Sequence, residues 1–221
     1  MFPPIVPSVL HISCLADKLL NLVALIRPNR PGQRNQQQNP TAWAYLGMLD
    51  LAYIPMEQFA LKWRFTDARY RVLPPHHLAE LQPLAPESAR RIWDLTLPLH
   101  RDVPFTDGFF RTVESTPLDS ADPEAVRAVR KWLFRRRLPF RARVLLSYQP
   151  GEAIATTWKM VVKYWEDLWY PGSDDLTVVD GSLTWALLLW HEEQAFFGDN
   201  REVPADRPAV EPADAAERQE G

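Results

Sequence analysis

The residues best suited to chemistry lie near the end of the sequence, in "LWYPGSDDLTVVDG" and "TWALLLWHEEQ". Asp174 and Asp175 offer two carboxylates, and His191 and Glu192 offer an imidazole and a third carboxylate. Oxygen ligands with one imidazole suit Mg²⁺ or Mn²⁺, so these four residues are candidates for the site of a metal-dependent enzyme. Their spacing does not demand a metal, and we expect neither a metal nor a cofactor.

Turn chemistry explains the same aspartates without any reaction. Pro171 must end the helix that precedes it, and the glycine, serine and aspartate that follow are typical of a helix end and an Asx turn. On this interpretation, which we favour, Asp174→Asn changes little because asparagine keeps the short acceptor. If the pair is functional, Asp175 is the better candidate because it stands nearer the strand that leads to His191.

Familiar catalytic motifs do not account for these residues. "HEEQA" resembles a zinc-protease motif, but Ala195 stands where the second histidine is required. The sequence contains no nucleophile elbow and no phosphate-binding loop, and its 8 glycines leave little room for a glycine-rich cradle. The sequence therefore gives no specific evidence of catalysis.

A basic run is the strongest charge feature, with eight cations from Arg127 to Arg143 and no acid among them. Interleaved with Trp132, Phe134 and Phe140, these cations could bind the phosphates and bases of a nucleic acid. We favour a solvated helix face that packs its aromatic residues inward and attracts the acidic tail or an acidic partner, because the net charge is only −3. The candidate patch comprises Arg130, Lys131, Arg135, Arg136 and Arg137.

Composition favours one domain. With 221 residues, 46% of them hydrophobic, the chain can bury one good core. The 21 prolines predict short elements with frequent boundaries. A single cysteine excludes an internal disulfide and fits a reducing compartment, so we expect a cytoplasmic location.

The two ends of the chain differ from its middle. "SVLHISCLADKLLNLVALI" is apolar, but His11, Asp17 and Lys18 argue against a signal peptide or membrane anchor, and we expect no membrane association. A Gln/Asn/Pro-rich stretch follows, so residues 1–47 are predicted to be an extension or linker, with Met48 as an alternative start. Residues 199–221 hold seven acids and three arginines and are predicted to be a disordered acidic tail. The domain is predicted to span residues 48–198.

Helices are predicted from apolar periodicity and from capping residues. Asp122 and Pro123 are suited to open a helix over "DPEAVRAVRKWLF", and Pro86 to open an earlier one. In "TTWKMVVKYWEDLWY" the apolar residues share one helix face, which predicts a buried tryptophan stripe. Its members are Trp158, Val161, Val162, Trp165, Leu168 and Trp169.

Strands are predicted at "RARVLLSY", "LTVVD" and "LTWALLLWH", the last two joined by a two-residue turn at Asp180 and Gly181. Residues 98–118 show no sustained period and are predicted to be loop. The expected fold is a single α+β domain, with a small, mainly antiparallel sheet packed against helices and flexible extensions at both ends.

Four segments together resemble an uncharacterised bacterial family of unknown function. They are "YIPMEQFALKWRF", "LQPLAPESARRIWD", "ATTWKMVVKYWEDLWYPGSDD" and "WALLLWHEEQAFFG", over roughly residues 50–198. The shared features are a Thr-Trp helix, a Tyr-Pro-x-Ser-Asp-Asp loop and a Trp…His-Glu-Glu strand. Gly172 and Trp190 are departures that reshape the loop region. Such small domains also resemble immunity proteins of bacterial toxin systems, which act by occluding a partner.

These observations predict a non-catalytic, cytoplasmic bacterial domain that binds another protein through exposed aromatic residues and the loop at 170–175. Tryptophan, tyrosine and arginine are the usual hot-spot residues of such interfaces. The metal-dependent enzyme and the nucleic-acid binder remain as alternatives. The candidate functional residues are Tyr170, Ser173, Asp174, Asp175, His191 and Glu192.

Overall fold

The computed structural model describes residues 50–101, Phe105 and residues 109–201. Seven strands of this part form one antiparallel sheet, in the order β1-β4-β3-β5-β6-β7-β2. The strands are β1 (Gln82–Pro83), β2 (Thr112–Pro117), β3 (Arg143–Gln149), β4 (Glu152–Thr157), β5 (Leu176–Val179), β6 (Trp185–Trp190) and β7 (Gln194–Asp199). The predicted α+β class with an antiparallel sheet is confirmed.

Five α-helices lie within the described residues. They are α1 (Trp63–Thr66), α2 (Pro75–Leu78), α3 (Pro86–Arg101), α4 (Pro123–Phe134) and α5 (Trp158–Leu168), and two 3₁₀ turns, Met56–Gln58 and Ala60–Lys62, precede α1. Asp122 opens α4 as predicted, since its Oδ1 accepts a hydrogen bond from the Glu124 amide at 2.9 Å.

Helices cover both faces of the sheet. Successive residues of a strand point to opposite faces, so each central strand contributes side chains to two cores. Leu146 and Trp185 contribute to the core beneath α4 and α5, whereas their neighbours Leu145 and Ala186 contribute to a second core beneath α3. The central strands therefore bury both of their faces, which explains the uninterrupted apolar run "WALLLW" in β6.

The predicted tryptophan stripe lies in the core. Trp158 and Trp165 of α5 are fully buried, and Trp169 just after it is almost fully buried. Trp158 packs edge-to-face on Trp185 of β6 at 5.5 Å between ring centroids. The helix is thereby fixed to the sheet by its largest side chains.

Four strands, β1, β2, β4 and β7, were not predicted, and the two-residue strand β1 pairs with β4. β4 folds back on β3 through a turn in which Gly151 has φ +107°, and it runs directly into α5, with Thr157 at the N-cap position but making no side-chain cap hydrogen bond. The loop prediction for residues 98–118 is wrong at 98–101, where α3 continues through Pro98, and at 112–117, which form β2. β7 follows a tight turn at 191–193 and pairs with both β6 and β2.

The predicted two-residue turn at Asp180 and Gly181 is also wrong. β5 and β6 are joined by residues 180–184. Asp180 accepts a hydrogen bond from the Ser182 amide at 2.9 Å, and Leu183 adopts a positive φ of 50°. An Asx-type turn of five residues therefore replaces the tighter hairpin.

The predicted extension at 1–47 and residues 202–221 of the predicted tail lie outside the described residues, whereas residues 199–201 of that tail are described. The last strand of the sheet ends at Asp199. No helix in the described part is long and apolar enough to span a lipid bilayer.

Candidate functional site

The loop at 170–175 joins α5 to β5 at one end of the sheet. Gly172 has φ +76°, a conformation that glycine adopts without strain, and its amide donates to the carbonyl of His191 at 3.4 Å. The loop and the 191–193 turn therefore lie side by side, so the two segments that carry the candidate residues are neighbours in space.

Within this loop Asp174 is buried against Arg64, which lies 110 residues earlier in the sequence. Both of its carboxylate oxygens accept hydrogen bonds from the Arg64 guanidinium, with Nη2 to Oδ1 at 2.9 Å. The two side chains are only 4% and 7% exposed. Burial alone would lower the pKa of Arg64, but the hydrogen bond to Asp174, together with the electrostatic effects of Tyr148, Asp174 and Tyr170, outweighs burial and raises the pKa. Asp174 is therefore half of a buried ion pair.

Further hydrogen bonds from the loop converge on Asp174. The Tyr170 amide donates to Oδ2 at 3.0 Å, and the Ser173 hydroxyl donates to Oδ1 at 3.1 Å. The indole N–H of Trp169 donates to the Asp174 carbonyl at 3.0 Å. The loop is thus folded around this one carboxylate, with Arg64 supplying the opposite charge.

Asp175 has a different partner. Its Oδ1 accepts a hydrogen bond from the His191 amide at 3.1 Å and lies 2.7 Å from the ring Nδ1 of the same residue. Glu192 follows in the turn and is exposed. Of the four residues considered as metal ligands, Asp174 pairs with Arg64, Asp175 pairs with His191, and Glu192 belongs to neither pair. No group of three or more histidines, cysteines and acids suited to a metal occurs among the described residues.

Three aromatic side chains meet above the Arg64–Asp174 pair, and we call them the aromatic platform. The ring centroids of Trp63 and Tyr70 are 4.5 Å apart, those of Trp63 and Tyr170 5.4 Å, and those of Tyr70 and Tyr170 5.9 Å. Tyr70 is 46% exposed, and the other two are partly exposed. The platform therefore presents contiguous aromatic surface to solvent.

The Arg64 guanidinium also contacts the platform. It lies 5.1 Å from the ring of Trp63 and 4.9 Å from the ring of Tyr170, within the range of cation–π attraction. Two of the three aromatic rings are therefore held by the same arginine that binds Asp174.

Sequence reasoning named Tyr170 but missed Trp63, Tyr70 and Arg64. These residues lie in "KWRFTDARY", about 100 residues before the loop, on a four-residue helix and the turn after it. An arginine beside a tryptophan in an aromatic-rich segment was the available signal. Nothing in the linear spacing indicated which aspartate would pair with that arginine.

A charged cluster borders the platform next to Tyr70. Arg71 lies 3.1 Å from Asp167 and 3.6 Å from Glu166, and Glu166 also pairs with Arg130 from α4. Burial raises the pKa of Asp167 to about 6, although the nearby Arg71 acts to lower it. The rim of the platform is therefore polar while its centre is aromatic.

Some arginines of the basic run form ion pairs within the fold. Arg130 binds Glu166, and Arg136 is buried against the Trp132 ring while pairing with Glu114 at 2.8 Å. Lys131, Arg135 and Arg137 are exposed. Phe134 and Phe140 are also exposed, with ring centroids 5.6 Å apart, so of the three interleaved aromatic residues only Trp132 packs inward.

A groove of about 750 Å³ opens beside the sheet edge at β1. Its lining is mainly apolar and includes Leu78 and Leu81. Arg143 also lines it, and this side chain donates to the Tyr53 hydroxyl at 2.5 Å and to the Gln82 side chain at 3.2 Å. The guanidinium of Arg143 is therefore held by neighbouring side chains.

No protein-family model, curated protein or solved structure matches this chain. The resemblance to an uncharacterised bacterial family, and through it to immunity proteins, therefore stays a prediction that rests on the residues quoted for it.

Proposed function

We propose that this chain is a non-catalytic protein-binding domain whose contact surface is the aromatic platform. One observation carries the proposal: three partly exposed aromatic side chains contact one another directly above a buried ion pair. Tryptophan and tyrosine dominate the energetics of protein interfaces because they bury much apolar area and lose little conformational entropy.

The contacts beneath the platform support a preformed surface. Arg64 holds Trp63 and Tyr170 through its guanidinium, and Asp174 holds Arg64. Side chains fixed before binding lose less conformational freedom when a partner docks, so more of the contact energy becomes affinity. On this proposal, the Arg64–Asp174 ion pair contributes to binding indirectly, by positioning the aromatic rings.

The surroundings of the platform match the usual anatomy of an interface. Arg71, Glu166 and Asp167 provide a charged border, and an aromatic centre with a polar rim is the common arrangement in non-obligate complexes. Charged rims mainly set association rate and partner choice.

The two alternatives gain less support from the contacts. A metal-dependent enzyme would need Asp174 as a ligand, and both oxygens of that carboxylate are engaged by Arg64. A nucleic-acid binder would need the centre of the basic run, where Arg130 and Arg136 are engaged by Glu166 and Glu114.

We place this binding in a bacterial cytoplasm, on the single cysteine and on the resemblance described above. The specific form we propose is immunity-like: the platform binds a toxin and occludes its active site. A toxin gene adjacent to the gene of this protein would support that form. Its consistent absence from the neighbourhood in related genomes would remove the immunity role and leave general protein binding.

Site-specific photo-crosslinking in the native host tests the proposal. A photoreactive phenylalanine analogue replaces Tyr70 in one strain and Phe140 in another, because the two side chains are matched at 46% and 45% exposure. The proposal expects a discrete crosslinked protein from position 70 and none from position 140. The same products from both positions, or none from position 70, would contradict it.

A further inference from the structure

A second surface lies just beyond the C-terminal end of α4, beside β2 and β7, and we call it the arginine pocket. Its volume is about 270 Å³, and it is lined by Glu114, Arg135, Arg136, Arg137, Phe197, Asp199 and Arg201. Four arginines face two carboxylates there. The pocket therefore carries a positive charge that its own residues do not neutralise.

The two carboxylates of the pocket are already engaged. Glu114 pairs with Arg136 at 2.8 Å, and Asp199 pairs with Arg201 at 2.7 Å. Within the described part of the chain, Arg135 and Arg137 form no ion pair, and both are exposed. These two cations are therefore available to an acidic partner.

The chain leaves the described region at this same pocket. Arg201 Nη2 donates to the carbonyl of Arg136 at 2.8 Å, and its guanidinium lies 5.6 Å from the Phe197 ring. These contacts fix the last described residue against the pocket wall. The described part of the chain therefore ends at a residue that lines the same pocket as Arg135 and Arg137.

The charge of the tail is opposite to that of the pocket. Residues 202–221 hold six acids and only two arginines. A segment of 20 residues spans up to roughly 70 Å when extended, many times the width of such a pocket. Length, starting point and charge thus all permit contact between the tail and the pocket.

We infer that the acidic tail, residues 202–221, docks on the arginine pocket of its own chain and covers Arg135 and Arg137. Each exposed ion pair contributes little to binding, so docking relies on several pairs and on the high local concentration that the covalent connection provides. The contact is therefore reversible and sensitive to salt. Its effect is to shield the pocket from other polyanions, which is a role separate from the aromatic platform.

Paramagnetic NMR on the full chain tests the inference. Cys14→Ser removes the native thiol, and a nitroxide spin label attached to Ala213→Cys reports the position of the tail. The proposal expects the label to broaden the amide signals of Arg135 and Arg137 but not that of Arg90 on the opposite face of the sheet. Raising the salt to 1 M, where the Debye length falls to about 3 Å, should abolish the broadening.

Charge variants separate docking from mere proximity. One variant converts all six tail acids to amides, and a second carries Arg135→Gln with Arg137→Gln. Both keep the length of the tail and its attachment point, and both should lose the broadening at positions 135 and 137. A matched control, Arg90→Gln, should retain it. Broadening that persists in both charge variants, or that is absent from the parent at low salt, would overturn the inference.

A mixing experiment identifies the source of the tail. Spin-labelled protein at natural isotope abundance is mixed with ¹⁵N-labelled protein that carries no spin label. Only contacts between two copies can then broaden the observed signals. The inference expects no broadening in the mixture. Broadening equal to that of the doubly labelled protein would show that the tail of a second copy fills the pocket, and the intrachain form would be wrong.

Discussion

Arg64 and Asp174 are 110 residues apart in the sequence, yet their side chains form a buried ion pair in which both carboxylate oxygens bind the guanidinium. This pair joins the short helix α1 to the loop that precedes β5. Because Trp63 and Tyr170 lie on the two segments it joins, the pair also fixes the aromatic platform.

Arg64→Ala should destabilise the fold severely. Removing one member of a buried ion pair leaves an uncompensated charge, and such changes cost about 3–5 kcal/mol. The free energy of unfolding, measured by urea denaturation with tryptophan fluorescence, checks this. Arg69→Ala is the control, because Arg69 pairs with Asp67 at the surface, and it should leave the unfolding curve unchanged. Equal curves for the two variants would contradict a structural role for Arg64.

Asp174→Asn should destabilise the protein far more than Asp175→Asn. The first change removes the charge that Arg64 needs, whereas the second alters a partly exposed residue and should stay within about 0.5 kcal/mol. This replaces the sequence-based expectation that asparagine is tolerated at position 174.

A double-mutant cycle on Arg64→Met and Asp174→Asn completes this test. The double variant should be destabilised by much less than the sum of its single variants, since neither buried charge is then left alone. Additive effects would mean that the two side chains act independently, contrary to the contacts between them.

The burial of Asp167 predicts a specific pH dependence. Its pKa of about 6 in the folded protein exceeds the ordinary value of 3.8, so the folded state binds the proton more tightly than the unfolded state. The contribution of Asp167 to stability is therefore most favourable below pH 4 and is lost as the pH rises through 6. Asp167→Asn removes this dependence.

The measurement is the free energy of unfolding of the parent and of Asp167→Asn between pH 4 and pH 8. The variant should gain stability relative to the parent as the pH rises from 4 to 7, with no further gain above that. A difference that is independent of pH, or one of opposite sign, would contradict the raised pKa.

Trp165→Ala should cost about 3–5 kcal/mol, because Trp165 is fully buried between α5 and the sheet and the substitution leaves a large cavity. Thermal unfolding of the purified variant checks this. A variant that melts within a degree or two of the parent would show that the stripe on α5 is not part of the core.

Some elements could be predicted because their signals are local. The tryptophan stripe of α5 and the Asp122 cap of α4 depend on spacing within one helix, and both are correct. β4 was missed because its threonines also suit a helix start, and its strand state depends on pairing with β3 on one side and β1 on the other. Pairing partners of this kind are not encoded in local periodicity.

Only part of the candidate site could be predicted, because its other part depends on contacts between distant segments of the chain. The loop residues Tyr170 and Asp174 stand out through turn chemistry and sequence proximity. Arg64 determines what Asp174 does, and its position beside the loop follows from the packing of the whole domain. The sequence therefore pointed to the loop as a candidate but interpreted Asp174 as a turn residue, whereas it forms a buried ion pair with Arg64.

The most direct test of the protein-binding proposal is the affinity of the crosslinked partner for two variants of the full chain. Tyr70→Ala removes the most exposed ring of the aromatic platform, and Phe140→Ala removes an equally exposed ring elsewhere. If the platform is the interface, Tyr70→Ala should raise the dissociation constant at least about tenfold, a loss of about 1.4 kcal/mol, while Phe140→Ala leaves it nearly unchanged. Equal affinities of both variants for the partner would contradict the account.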